Sequence, residues 1–101
     1  MRKTTNYYVY FAESSLNKKI YTGFTSKDPK QRVREHNTGS NKFTRNNGPF
    51  TLIYYEKYIC KLDALNREKF YKIGFGKQIR NLVVKYIKSG VRSSVGRAVA
   101  F

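Results

Sequence analysis

Two tyrosines, an arginine, a histidine and one glutamate are the residues whose types and spacing could do chemistry: Tyr10, Tyr21, Arg32, His36 and Glu68. The tyrosines fall in two short aromatic segments. The arginine and the histidine are one helical turn apart, which places their side chains on one face of a helix. Hydrolysis of a phosphodiester requires a base for the attacking water, positive charge at the phosphate and help for the leaving oxygen. The pattern therefore predicts cleavage of a phosphodiester bond.

The polar side chains differ in what they could contribute. Arg32 can donate two hydrogen bonds to phosphate oxygens, which a lysine does less specifically. A neutral His36 could hold the attacking water, donate to the phosphate or hydrogen-bond a tyrosine. Phenols with an ordinary pKa near 10 are poor bases at pH 7. We expect a neighbouring cation and the positive charge of the chain to lower the pKa of a tyrosine in the site.

Glu68 is the acidic residue that we predict as a metal ligand. Mg²⁺ keeps much of its water and commonly binds one or two carboxylates together with substrate phosphates. One glutamate therefore suffices for a single ion that stabilises the leaving group, although not for a two-metal site. The competing interpretation is an ion pair with Lys72, one helical turn away. The other acidic residues are interpreted as turn, cap or surface residues: Glu13, Asp28, Glu35, Glu56 and Asp63.

Residue patterns predict the elements that position these side chains. Aromatic and β-branched runs predict strands over residues 7–11 and 20–25, which form a hairpin. Gly23, inside the second strand, indicates a bulge or a close approach by another group. Asp28 and Pro29 predict the start of a helix that ends near Asn37. The apolar run over residues 50–55 predicts a third strand that is central and buried on both faces.

The second half of the chain predicts two more helices. One covers residues 62 to about 73, and the other follows from apolar residues at helical spacing between Ile79 and Ile87. Residues 89–101 show no helical period and are interpreted as a flexible C-terminal tail. The order ββαβαα predicts an α/β (α+β) fold: a three-stranded antiparallel sheet flanked by helices.

Composition limits the function classes. The chain has 101 residues, which is the size of one domain, and 21 Lys and Arg against six acids give a net charge of +15. Such a charge indicates a polyanionic partner, most simply nucleic acid. One cysteine, Cys60, and one histidine exclude a zinc finger. No apolar run approaches the length of a membrane span, so we expect no membrane partner and a cytoplasmic protein.

The order and spacing of the motif residues resemble the GIY-YIG nuclease superfamily, in particular its small stand-alone domains of the UPF0213 type. The resemblance covers roughly residues 7–88, which we expect to form the nuclease-like domain (1–88), with residues 89–101 as the tail. Tyr8 and Thr22 stand where the motifs have glycine and isoleucine. Phe24 follows the second motif where many members have a lysine, and Lys27 could substitute for it. The resemblance assigns the family's motif positions to Tyr10, Tyr21, Gly23, Arg32, His36, Asn37 and Glu68.

This resemblance implies a divalent-metal-dependent endonuclease that hydrolyses DNA, with Mg²⁺ or Mn²⁺ held by Glu68, and we expect it to be structure-selective and repair-related. RNA is the other partner that the sequence leaves open, and either tyrosine could be the base. We expect a monomer or weak homodimer. The alternative is a non-catalytic nucleic-acid-binding module with the same fold, which would apply if Glu68 pointed away from the tyrosines. Side chains expected to contact nucleic acid are Lys27, Arg34, Asn37, Lys42, Arg45, Lys72 and Lys77.

Overall fold

The structure, a computed structural model, describes residues 5–40 and 49–89, which form three strands and three α-helices. The observed order ββαβαα and the antiparallel sheet confirm the predicted α+β fold. The elements are β1 (Tyr7–Ser14), β2 (Ile20–Thr25), α1 (Pro29–Glu35), a π-helical turn (His36–Ser40), β3 (Phe50–Tyr58), α2 (Lys61–Lys72) and α3 (Gly74–Lys88).

The sheet has the strand order β2-β1-β3, so the first strand is central. Both neighbours pair with β1 in antiparallel orientation, with a register irregularity between Phe11 and Ala12 on the β3 side. The prediction that the third strand is central was wrong, because β3 lies at a sheet edge. Its apolar side chains pack on both faces of the sheet, Phe50 and Leu52 with Tyr10, and Ile53 and Tyr54 with Phe11, which produces the same dense apolar run as a central position. The strand buried on both faces is β1, where residues 9–12 are all at most 1% exposed.

Alternation along β1 creates two separate cores, because successive side chains point to opposite faces of a sheet. Val9 and Phe11 pack with residues of α2 and α3, on what we call the α2–α3 face. Tyr10 and Ala12 pack with Val33 of α1 and with residues of β2 and β3, on what we call the α1 face. The central strand therefore presents Tyr10 to one face and its two neighbours to the other.

The helix ends follow local sequence signals. The Asp28 carboxylate accepts a hydrogen bond from the Lys30 amide, and Pro29 occupies the first helical position, as predicted. Helix α1 ends at Glu35, two residues before the predicted end, where the π-helical turn begins. Gly74 adopts a φ of 53° at the start of α3, a conformation that favours glycine. Ser89 caps α3, and the rest of the predicted tail lies outside the described residues.

No helix in the described part of the chain is long and apolar enough to cross a membrane.

Candidate active site

Tyr10 lies at the centre of the sheet, and its ring is placed by a glycine on the neighbouring strand. Tyr10 pairs with Gly23 of β2 on one side and with Tyr55 of β3 on the other. A Cβ atom at position 23 would lie 2.5 Å from the Tyr10 Oη and 2.8 Å from its Cε1. The close approach at Gly23 is therefore made by the Tyr10 ring, which needs the space that any side chain would fill.

Tyr21 connects Tyr10 to the helical side of the site. Its ring centroid is 6.3 Å from that of Tyr10 and 6.1 Å from that of His36, the latter in an edge-to-face arrangement. Phe50 packs edge-to-face on the same ring at 6.1 Å. Contacts on three sides give the Tyr21 side chain a defined orientation between β1 and the π-helical turn.

Tyr21, Arg32 and Glu68 all act on the hydroxyl of Tyr10. Burial is the largest effect on the pKa of Tyr10 and raises it well above its usual range, and the charges of Tyr21 and Glu68 add to that increase. Arg32 acts in the opposite direction through its charge and a side-chain hydrogen bond. The nearby positive charge lowers this pKa as expected, but the expected net decrease was wrong, because loss of solvation outweighs the arginine. Tyr10 is thus a phenol, and not a phenolate, at neutral pH.

His36 is buried at the first position of the π-helical turn, with 4% of its surface exposed. Burial and the charge of Arg32 lower the pKa of the imidazole, and Glu35 opposes them. Both lowering effects disfavour a second proton, so the ring is neutral at pH 7. A neutral imidazole beside Tyr21 can accept a proton.

Arg32 reaches the site from α1, where an acidic residue holds it. Its guanidinium Nη1 is 3.3 Å from the Glu35 Oε1, and the Lys27 Nζ is 3.1 Å from the Glu35 Oε2. The hydrogen bond from Lys27 is the main cause that lowers the pKa of Glu35. The carboxylate interpreted from sequence as a surface residue therefore brings two predicted cations together.

Glu68 lies on the inward side of α2. It is four residues after the buried Ala64 and three before the buried Tyr71, and its side chain is 18% exposed. The Lys72 Nζ is 3.0 Å from its Oε2, which is the predicted ion pair. The charge of the same carboxylate raises the pKa of Tyr10, so Glu68 pairs with Lys72 and also acts on the candidate site.

A divalent metal ion can be judged by the donors around Glu68. In the described residues no group of three or more His, Cys, Asp or Glu side chains could hold a metal ion. A partly exposed carboxylate beside a phenol and an arginine nevertheless fits an ion that keeps most of its water and takes its other oxygens from a phosphate. Glu68 is the residue that would hold it.

The remaining predicted binding residues are spread over the fold. Arg34 is exposed on α1 and Lys77 is exposed on α3. The Asn37 amide accepts from the Phe50 backbone N–H at 2.7 Å and donates to its carbonyl at 2.9 Å, which gives it a structural role. Lys42 and Arg45 lie outside the described residues.

A second tyrosine–glutamate set occupies the α2–α3 face, beside a cavity of about 1210 Å³. The Glu56 carboxylate, 16% exposed, accepts hydrogen bonds from Tyr54 at 2.7 Å, Tyr58 at 2.5 Å and Tyr71 at 2.5 Å. Arg67 lies 3.6 Å from Glu56 and donates to the Tyr71 hydroxyl at 3.1 Å. Burial, followed by the bond to Glu56, raises the pKa of Tyr71 to about 12.

The interpretation of Glu56 as a turn, cap or surface residue was wrong. Its partners Tyr54 and Tyr58 are each two residues away on β3, so all three side chains share one face. Arg67 and Tyr71 are four residues apart on α2 and share one helix side. This spacing was the signal in the sequence, but it does not reveal that β3 and α2 lie against each other.

The chain is similar to known proteins over more than half of its length. Residues 6–81 match the GIY-YIG catalytic domain. The UPF0213 protein HQ_3675A of Haloquadratum walsbyi is 43% identical over 63 residues, which cover 61% of this chain and 68% of that protein. A UPF0213 protein of Pediococcus acidilactici is 41% identical over 73 residues, 69% of each chain. The solution NMR structure of the UPF0213 protein BH0048 from Bacillus halodurans is 30% identical, covers 87% of this chain and 97% of that one, and gives a TM-score of 0.49.

Proposed function

Because the chain belongs to the GIY-YIG catalytic domain family, with UPF0213 proteins among its relatives, we propose that it is a divalent-metal-dependent endonuclease that hydrolyses DNA. The observation that carries the proposal is that the Tyr10 ring lies 6.3 Å from the Tyr21 ring while the charges of Arg32 and Glu68 both act on its hydroxyl. Residues of two strands and two helices meet there, as hydrolysis at a single phosphate requires. Repair of nicked or branched DNA is the setting that we propose for it.

The protonation states suggest how the side chains divide the work. Arg32 binds the phosphate and stabilises its developing charge. Tyr10, a buried phenol at neutral pH, orients Arg32 through their side-chain hydrogen bond. Tyr21 takes the proton of the attacking water as it passes its own to the neutral His36. Glu68 would hold Mg²⁺ or Mn²⁺, which supplies stabilisation of the leaving oxygen.

A cleavage time course tests the proposal. Labelled linear, nicked, flapped and branched DNA would be incubated with the protein and Mg²⁺, Mn²⁺ or EDTA. We expect products only with metal, and their loss in Glu68→Gln and in Arg32→Ala. Asp63→Asn and Lys30→Ala are matched controls, since these exposed side chains lie on the same two helices and we expect them to keep activity. Equal products from Glu68→Gln would contradict the proposal.

A non-catalytic nucleic-acid-binding module is the second candidate. The net charge of +15 and the ion pair that counters Glu68 with Lys72 favour it. Both features serve binding to phosphates without requiring a metal. Tight binding of every DNA substrate with no product in either metal would select this function.

We further propose that residues 1–88 are the catalytic unit, that residues 89–101 are a tail, and that the protein acts in the cytoplasm as a monomer or weak homodimer. Sedimentation of the full chain at several concentrations tests the oligomeric state. A concentration-independent dimer would contradict it.

A further inference from the structure

The α1 face of the sheet carries aromatic side chains beyond the candidate active site. Tyr55 of β3 is directly opposite Tyr10 in the register, so both side chains leave the same face. Tyr8 of β1 is on this face too, and its ring meets that of Tyr55 at 5.8 Å with an interplanar angle of 77°. Tyr55 is 45% exposed. These two tyrosines form an open aromatic surface, which we call the Tyr8–Tyr55 platform.

The platform continues the candidate site on the side of β3. Side chains directly opposite on antiparallel strands have Cβ atoms about 4.5–5.5 Å apart, and the Tyr10 ring leans the other way, over Gly23. The Tyr55 ring is therefore left uncovered on the face that carries Tyr10 and helix α1. A base bound on Tyr55 would lie on the same face as a phosphate held by Arg32.

Positive charge accompanies the aromatic rings. Lys57 is directly opposite Tyr8 in the register and is exposed on the same face. The whole chain carries a net charge of +15. A cation beside exposed aromatic rings suits a nucleotide, because the phosphate takes the charge and the base stacks on a ring.

The kind of nucleic acid follows from what a flat ring can contact. In a duplex the two faces of each base are covered by neighbouring base pairs, so a protein ring reaches only bases that are unpaired or turned out. Stacking tolerates any base sequence, since every base has an aromatic face. A duplex could use the basic groups but not the platform.

We propose that the Tyr8–Tyr55 platform stacks an unpaired base of single-stranded DNA and directs the strand towards Arg32. The choice of single-stranded DNA as substrate rests on the proposed function, whereas the stacking itself does not. Tyr55 provides the stacking surface, Tyr8 supports it edge-on, and Lys57 binds a flanking phosphate.

Binding without catalysis tests the platform. The probe is a single strand of about 12 nucleotides that carries 2-aminopurine, compared with the duplex of the same sequence, both in EDTA. We expect Tyr55→Ala and Tyr55→Leu to weaken single-strand binding roughly 5- to 150-fold and to abolish quenching of the 2-aminopurine. Tyr55→Phe should keep both signals, because the ring remains. Duplex binding should change by less than about twofold, since it depends on phosphates.

Tyr86→Ala is the matched control. The exposed fraction of Tyr86, 48%, is close to that of Tyr55, but Tyr86 lies on α3. We expect this variant to bind and quench as the wild type does. Thermal unfolding of each variant confirms that it is folded, and the Leu variant keeps apolar volume if Tyr55→Ala is unstable.

The outcomes separate the platform from the proposed function. Unchanged single-strand affinity and quenching in Tyr55→Ala would overturn the platform, as would equal losses for single strand and duplex. Metal-dependent cleavage by the wild type in that case would leave the proposed nuclease standing. Quenching that depends on Tyr55, without cleavage in either metal, would support the platform and reject the nuclease.

Discussion

The two faces of the sheet carry the same residue types in different connections. On the α1 face, Tyr10 and Tyr21 lie with Arg32 and a carboxylate, Glu68. The α2–α3 face also combines tyrosines, one arginine and one glutamate, namely Tyr54, Tyr58, Tyr71, Arg67 and Glu56. Composition alone would not say which set is the site and which holds the fold together.

The difference lies in how the acceptor oxygens are used. Both oxygens of Glu56 accept phenol hydrogen bonds, and Arg67 neutralises the charge. Glu68 is countered by Lys72, whose side chain is 48% exposed. Satisfied buried polar networks stabilise and define a fold, whereas a carboxylate with a displaceable partner can bind something else. We therefore regard Glu56 as structural and Glu68 as available.

Exchanging the two carboxylates for amides should separate these roles most clearly. We expect Glu68→Gln to lower the cleavage rate about 10²–10³-fold with little change in stability, because it removes charge from the reacting centre. Glu56→Gln should lower the free energy of unfolding by roughly 2–3 kcal/mol, because charged hydrogen bonds to phenols are lost, and keep most of the rate. Cleavage assays and urea denaturation measure the two effects. The comparison would fail if both variants lost rate and stability alike.

A methyl group at Gly23 should damage the α1 face alone. Gly23→Ala displaces the Tyr10 ring, and we expect a loss of about 1–3 kcal/mol together with most of the cleavage activity. Gly74→Ala is the matched control, because a Cβ there meets nothing within 4 Å and only the φ of 53° is strained. It should lower the free energy of unfolding by about 1 kcal/mol and leave cleavage unchanged. Full activity in Gly23→Ala would show that the ring position is not required.

Acid should weaken the α1 face before the other, because the chain's single histidine lies there. The pKa of His36 is lowered in the folded protein, so the unfolded chain binds a proton that the folded chain resists. The contribution of His36 to the free energy of unfolding should be fully present above about pH 6.5. It should decrease as the pH falls from there towards the lowered pKa. His36→Phe should remove this decrease. In the wild type, cleavage should fall over the same pH range. Urea denaturation between about pH 5.5 and 7.5 measures it, and an unchanged slope in His36→Phe would contradict the assignment.

The smallest expected effect concerns the counter-ion of Glu68. Removing the ammonium in Lys72→Met should raise the affinity for Mn²⁺ by up to about fivefold, since exposed ion pairs contribute about 0.2–1 kcal/mol. Titration calorimetry or electron paramagnetic resonance measures binding directly. Lys69→Met, an exposed residue on the same helix, is the control. Equal affinities in Lys72→Met and the wild type would show that the lysine does not compete with the ion.

Periodicity predicted the fold well because it reports which side of an element is buried. The element order and the cap at Asp28 followed from such local patterns. The central strand did not, because β1 and β3 are both rich in apolar residues and long-range pairing decides between them. The pKa of Tyr10 was expected in the wrong direction, because sequence shows charges but not the extent of burial. The partners of Glu56 were missed for a related reason, since they come from two elements distant in sequence.

The double hydrogen bond between Asn37 and the Phe50 backbone has an evolutionary consequence. A further bond from the Ser15 N–H to the Pro49 carbonyl at 3.0 Å anchors the same end of β3. The chain is thus fastened on both sides of residues 38–49, so their length and sequence can vary without loosening the sheet. Doubling the length of a closed loop costs only about 0.6 kcal/mol. We expect insertions at this place to leave the sheet paired.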